Sequence, residues 1–332
     1  MAPRHVSPQV SCVVPAYNEE RNLLLLIPRL ADRLKSTGRS FEIIVVDDGS
    51  TDGTVESVRG LQDSHPVTLV RLSRNFGKEN AITAGLARAH GEAVILMDAD
   101  LQHPLDLLER YLELWEEGFE MVYGVRHERA DQGWLLRHLS RLFYRLLSAV
   151  ASVPIPRGAG DFRLLDRKVV DALQNLPERG RFMKGLYSWV GFKSHAVPFE
   201  HDNRHAGVST FNFRRLFRLA VTGITAFSDL PLRIWTGVGA LISTVAILYA
   251  LFIVGRTLVF GVDLPGWATL TVSILFLGGV QILSVGVLGE YVARIFEEVK
   301  GRPNYIVAEE IEPHTEVLAD WENPAATGSE AL

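Results

Sequence analysis

Phe41-Glu42-Ile43-Ile44-Val45-Val46-Asp47-Asp48-Gly49-Ser50-Thr51-Asp52-Gly53-Thr54 is the stretch that decides the fold. Its apolar run over Phe41–Val46 stops abruptly on two carboxylates and a group of turn formers. The residues after it, Thr54–Leu61, have helical apolar spacing. A continuous apolar run of this length reads as a strand covered on both faces. The same unit recurs on either side. Val10–Pro15 leads to a helix over Asn22–Leu34, Val67–Leu72 to one over Ala81–Ala89, and Ala93–Met97 to one over Leu105–Glu117. Met121–Gly124 is a further short strand. Strand and helix in alternation predict an α/β fold, a mostly parallel sheet with helices on both faces. Sites on such sheets lie at the carboxyl ends of the strands.

Those ends are where the polar residues gather. The first strand runs into Pro15-Ala16-Tyr17-Asn18-Glu19-Glu20, the second into Asp47–Gly53, the third into Ser73-Arg74-Asn75-Phe76-Gly77-Lys78, and the fourth into Asp98-Ala99-Asp100-Leu101-Gln102. Any one of these fragments could be a turn or a helix cap; four at one sheet edge point to a site. Asp98 and Asp100 leave a buried strand as alternate residues, and buried carboxylates need a partner. Their hard oxygens suit Mg²⁺ or Mn²⁺ completed by substrate phosphates, with Gln102 as a neutral oxygen nearby. His103, beside them, could touch metal or sugar. A phosphate-binding Gly-x-x-x-x-Gly-Lys loop and a Gly-x-Gly-x-x-Gly fingerprint are both absent from the sequence.

Composition adds limits. The 332 residues are 47% hydrophobic and 22% charged, with net charge −5, which excludes a disordered chain. Residues 307–332 carry seven acidic groups and no Lys or Arg, so the rest of the chain is near neutral and has no nucleic-acid footprint. The single cysteine, Cys12, excludes a disulfide framework and reads as core. The first ten residues lack the apolar run of a signal peptide.

Two charge-free runs, Ile234–Val254 and Trp267–Leu288, are each long enough to cross a hydrocarbon core of about 30 Å. Arg214, Arg215, Arg218 and Arg233 precede the first, and Arg294, Lys300 and Arg302 follow the second. Basic flanks stay cytoplasmic, so both chain ends are expected in the cytosol and the Gly255–Gly266 link outside. Trp134–Ala151 sets an apolar face against Arg137, Arg141 and Arg145; Phe213–Phe227 repeats that pattern. Both read as basic amphipathic helices for an anionic lipid surface or a lipid phosphate. Gly278, Gly279, Ser284 and Gly286 form a small-residue face in the second span, from which a homo-oligomer is expected.

The motifs Val13–Glu20, Val46–Gly53 and Asp98–Pro104 resemble those of family 2 inverting glycosyltransferases of the GT-A fold, which have a Rossmann-like sheet. Over about residues 8–307 the chain is most similar to polyprenyl-phosphate glycosyltransferases, relatives of dolichol-phosphate mannosyl synthase, in the bacterial branch with two C-terminal spans. The resemblance implies transfer of a hexose, with UDP-glucose as the expected donor, to undecaprenyl phosphate at the inner membrane, for modifying cell-envelope glycans. It implies that Pro15, Tyr17, Glu19, Val46 and Asp48 hold the nucleoside. Asp98, Ala99, Asp100 and Gln102 would surround metal and diphosphate. Arg126, Arg129, Arg137, Arg204 and Ser209 would meet phosphates or lipid. Asp161, in Gly158-Ala159-Gly160-Asp161-Phe162-Arg163, matches the position regarded as the base; a turn or a salt bridge to Arg163 is its structural alternative. Several relatives have Lys where Thr210 stands, so one cation is missing there.

The expected domains are a cytosolic catalytic domain over 1–210, a juxtamembrane amphipathic helix over 211–231, two spans within 232–290 and a cytosolic segment with an acidic tail over 291–332. Two other readings compete: a processive polysaccharide synthase, against which the lack of a Gln-x-x-Arg-Trp stretch counts, and a membrane-anchored nucleotide-sugar binding protein without turnover.

Overall fold

A computed structural model of the protein describes residues 8–126, 159–179, 181–199, 230–260 and 266–313, with Val317 and Trp321. The chain forms two units. One comprises Met1–Arg141, Val153–Phe211 and Arg302–Leu332, the other Leu142–Ser152 and Asn212–Gly301. Arg129, Arg137, Arg204, Ser209 and both amphipathic stretches lie outside the described residues.

The first unit is built on eight strands: β1 Val10–Ala16, β2 Phe41–Asp47, β3 Val67–Leu72, β4 Ala93–Leu96, β5 Met121–Arg126, β6 Ala159–Asp166, β7 Ser194–Phe199 and β8 Val307–Ile311. They form one sheet in the order β7-β5-β6-β4-β1-β2-β3-β8. β4, β1, β2 and β3 are parallel neighbours, as are β5 and β7. β6 runs antiparallel between β4 and β5, and β8 runs antiparallel along the outer edge of β3. The sheet is therefore mixed, where the sequence pointed only to its parallel part.

Among the described residues, six helices belong to this unit: α1 Glu20–Ser36, α2 Thr54–Gln62, α3 Lys78–Arg88, α4 Leu107–Glu116, α5 Arg167–Gln174 and α6 Met183–Trp189. Leu23, Leu26, Ile27, Leu30 and Leu34 of α1 make a fully buried stripe. They join Val10, Cys12 and Val14 of β1 and Leu108 and Leu112 of α4 in one core. Burying each such leucine stabilises the fold by roughly 2 kcal/mol. Burial pushes the Cys12 thiol up to about 12, so it stays protonated and inert at neutral pH. α3 covers the opposite face, over Val13 and Val46. It approaches so closely that a Cβ on Gly85 would sit 2.2 Å from Val13 Cγ1, so only glycine fits there.

The second unit holds two long apolar helices, α7 Leu230–Phe260 and α8 Trp267–Val299. Their segments Gly237–Phe260 and Val272–Val299 have mean hydropathies of 2.3 and 2.1, and none of either is buried by protein. Twenty-four residues of helix span about 36 Å, enough to cross a bilayer core. Both helices outrun the charge-free runs that marked them. α7 continues through Arg256, and α8 through Glu290 and Arg294, which pair at 3.4 Å across one helical turn. The Ser284 hydroxyl donates to Val280 O at 2.8 Å, so it is satisfied within its own helix.

Beyond α8 the chain returns to the first unit. Within the expected C-terminal segment, Val307–Ile311 is a strand of the sheet. Glu309 accepts from Arg59 at 2.7 Å, Glu310 pairs with Arg88 at 2.9 Å, and Gln62 Nε2 donates to both Val67 O and Ile311 O at 2.9 Å. Trp321 meets Phe41 edge to face at 5.7 Å, under Lys35.

Candidate active site

The carboxyl ends of β1 to β4 are stitched together by backbone and short polar side chains. Asp48 N donates to Ala16 O at 2.8 Å. Asn18, in the left-handed region at φ 57°, accepts from Thr51 N at 2.9 Å, and its own N–H donates to Ser50 Oγ. Gly49 has φ +70°, and a Cβ there would lie 2.5 Å from the Arg74 carbonyl carbon, so the Asp48–Ser50 turn requires glycine. Asp48 is buried at 3% exposure; its two oxygens accept from Phe76 N at 2.7 Å and Gly77 N at 2.9 Å. Burial raises its pKa even against those two donors.

Of the residues expected to hold the nucleoside, Tyr17 and Glu19 are open to solvent at this edge, while Asp48 is buried beneath it. Tyr17 is the most exposed, at 46%. Glu19 accepts from Asn22 Nδ2 at 2.6 Å. Its pKa is raised: burial leads, the Asn22 bond opposes it, and the charges of Asp100, Asp52 and Asp98 add to the rise. Pro15 and Val46 pair with each other in the β1–β2 register. The Val46 side chain is turned into the core beneath α3.

Ala99, 3% exposed, packs into the core and thereby sends Asp98 and Asp100 outward. Leu101, at φ 57°, turns the chain sharply, and Gln102 N donates to Asp100 Oδ1 at 3.1 Å. The turn brings His103 back under the carboxylates. Donor atoms of Asp98, Asp100 and His103 all lie within 4.8 Å of one another. The His103 ring is buried and stacks on Phe162 with centroids 4.8 Å apart. Its Nε2 lies 3.7 Å from Asp98 Oδ2, and among the described residues neither ring nitrogen has a hydrogen-bond partner. A buried imidazole without a hydrogen bond among the described residues, beside two carboxylates, fits a divalent cation.

β6 supplies the opposing wall. In the β4–β6 register Ala93 faces Asp166 and Leu96 faces Arg163, so the next steps bring Asp98 level with Asp161. Asp161 is thus a strand residue, not part of a turn. It pairs with Lys78, the first residue of α3, and not with Arg163. The Lys78 ammonium lies 2.6 Å from Asp98 Oδ1 and 2.6 Å from Asp161 Oδ2. Arg163 is buried instead, with its guanidinium 3.6 Å from the Tyr187 ring centroid and a 2.7 Å bond to Gly160 O. Arg126 ends β5 on the same edge.

Residues 11–174 match the glycosyl transferase family 2 domain. An uncharacterized glycosyltransferase of Synechocystis is 45% identical over 91% of this chain and 95% of that protein. A bactoprenol glucosyl transferase of Shigella phage SfV is 42% identical over 91% of this chain and 99% of its own length. A prophage bactoprenol glucosyl transferase homolog of Escherichia coli is 40% identical, covering 90% and 98%. The chain belongs to glycosyl transferase family 2. The protein is an enzyme of the glycosyltransferase class.

In this glycosyltransferase the electrostatics sort the acidic groups. Burial works to raise the Asp98 carboxyl, but the His103 ring and the Lys78 ammonium outweigh it and hold the group at about 2. Burial works against the Lys78 charge in turn, and Asp98 and Asp161 raise its pKa regardless. Glu79, the next residue, is pushed up to about 7 by burial and then by the Asp161 charge. Sequence reasoning missed Lys78 and Glu79 as site residues. The signal for Lys78 was its position: a cation at the start of a helix opposes the helix dipole and needs compensation.

Proposed function

We propose that the enzyme transfers a glucosyl residue from UDP-glucose to undecaprenyl phosphate at the cytosolic face of the plasma membrane. The observation that carries this is the Lys78 bridge between Asp98, from the cluster that fits a divalent cation, and Asp161, from the opposing strand, in a chain that also has two membrane-length helices. The names of the relatives, bactoprenol glucosyl transferases, support both the sugar and the lipid.

In the reaction a phosphate oxygen of the lipid attacks the anomeric carbon, the bond from that carbon to the diphosphate oxygen breaks, and UDP leaves. One displacement inverts the anomeric configuration, so an α-linked donor gives a β-linked lipid phosphate. The acceptor phosphate is largely ionised at pH 7, since its second pKa is about 6. Little is therefore required of Asp161 beyond orienting the acceptor and taking a remaining proton. Asp98, Asp100 and His103, with Gln102 beside them, would hold Mg²⁺ or Mn²⁺, whose charge would neutralise the departing diphosphate. Tyr17, Glu19 and Asp48 would hold the nucleoside. Arg126 and Arg204 would take phosphate oxygens by charge-assisted bonds.

A screen of radiolabelled nucleotide sugars against undecaprenyl phosphate in membranes, followed by lipid extraction, tests this. UDP-glucose is expected to give the labelled lipid; a different preferred sugar would overturn the donor, and label only in polymer would overturn the acceptor. The helix pair is proposed to form a hairpin with both chain ends cytosolic. A cysteine placed at Gly266 is expected to react with an impermeant reagent from outside the cell. Protection there, with labelling at Glu330, would reverse the topology.

A further inference from the structure

We propose that Lys78 is a ligand for the acceptor phosphate, presented between the cation-side carboxylate Asp98 and the acceptor-side carboxylate Asp161. This rests on the lipid-phosphate reading above. An ammonium has three N–H donors. Two are engaged by Asp98 and Asp161, each at 2.6 Å, and the third has no partner among the described residues. The side chain is 43% exposed, so that donor is reachable. A phosphate oxygen bonded to it would lie beside Asp161.

The surroundings call for a cation here. The attacking phosphate is an anion approaching an anionic diphosphate along a wall that also carries Asp98, Asp100 and Asp161. Among the described residues, Lys78 is the only lysine or arginine in an ion pair with Asp98 or Asp161. The fold is built to aim it. Gly77 takes φ +95°, and Asp48 holds the Phe76 and Gly77 amides with both carboxylate oxygens, fixing the turn from which Lys78 projects. The lysine sits at the positive end of α3, an unfavourable place for a cation whose only duty is structural.

Phosphate chemistry at this point has two sources, the lipid acceptor and the donor's diphosphate, and acetylation of the native enzyme separates them. Farnesyl phosphate, a soluble acceptor analogue, is expected to protect Lys78 from an amine-reactive reagent, read by peptide mass spectrometry. Farnesol is expected to give no protection, and neither is UDP with Mn²⁺. In steady state, Lys78→Met is expected to raise the KM for undecaprenyl phosphate on the order of tenfold to a hundredfold, with partial recovery in Lys78→Arg and with UDP affinity by calorimetry changed less than the KM. Unchanged labelling with farnesyl phosphate overturns the proposal. So does protection by UDP with Mn²⁺ alone, or a Lys78→Met variant that loses UDP binding while keeping its lipid KM. If native enzyme forms no glycolipid yet farnesyl phosphate still protects Lys78, the donor assignment fails and the phosphate contact stands. If glycolipid forms without such protection, the contact alone fails.

Discussion

Asp98→Asn is expected to abolish glycosyl transfer, by about a thousandfold or more, while leaving the sheet intact. Asp98 has the central place in the site. It belongs to the three-residue cluster that fits a divalent cation, and it carries half of the Lys78 bridge. Electrostatic stabilisation of a leaving diphosphate is worth several kcal/mol, which corresponds to roughly that loss. The variant should keep its far-ultraviolet circular dichroism, and its Mn²⁺ affinity by electron paramagnetic resonance should fall in parallel with activity. Full turnover by the native enzyme in excess chelator would remove the cation from the reaction. The pairing also has a pH signature. The Asp98 pKa falls from 3.8 to about 2 on folding, so its contribution to stability is present above pH 4 and is lost as pH drops toward 2. Asp98→Asn should flatten the acid limb of the stability curve in that window.

Asp161→Asn is expected to lower lipid product by about a hundredfold, the lower end of what general-base groups contribute, because the acceptor is already a good nucleophile. UDP binding should survive, since Tyr17, Glu19 and Asp48 extend from β1 and β2 while Asp161 stands on β6. The measurement is paired on one preparation: nucleotide affinity by calorimetry and glycolipid by chromatography. Near-normal turnover would make Asp161 structural. Lost UDP binding would move it to the donor side.

Much of this site was legible in the chain. Ile43–Val46 and Ala93–Met97 announced themselves because strands buried on both faces are continuously apolar, and the charged residues after them could only lie at the sheet edge. The strands that escaped notice are those whose partners justify their polarity. β6 reads Ala-Gly-Asp-Phe-Arg-Leu-Leu-Asp, and nothing local explains a buried Arg163; the Tyr187 ring that covers it comes from α6. β8 alternates half-buried and exposed residues, and two of its five are glutamates paired with Arg59 and Arg88. Lys78 was legible only as one of the polar residues after the third strand, because the two partners that give it a role stand 20 and 83 residues further along the chain. His103 was read as able to touch metal or sugar from its place beside the carboxylates; its burial could not be read, because it depends on Phe162, which reaches it through the antiparallel strand.

The return of the chain to β3 sets an order of manufacture. The ribosome releases β1 to β7 first, then α7 and α8, and only afterwards the residues of β8. Until that moment β3 is an open edge, with unpaired amides and carbonyls of the kind that recruit foreign strands. The last strand of the catalytic sheet can be laid down only on a polypeptide whose two membrane-length helices have already been made. Completion of the sheet thus certifies that both long apolar helices have been made, and a chain cut short at either helix leaves its catalytic sheet unfinished.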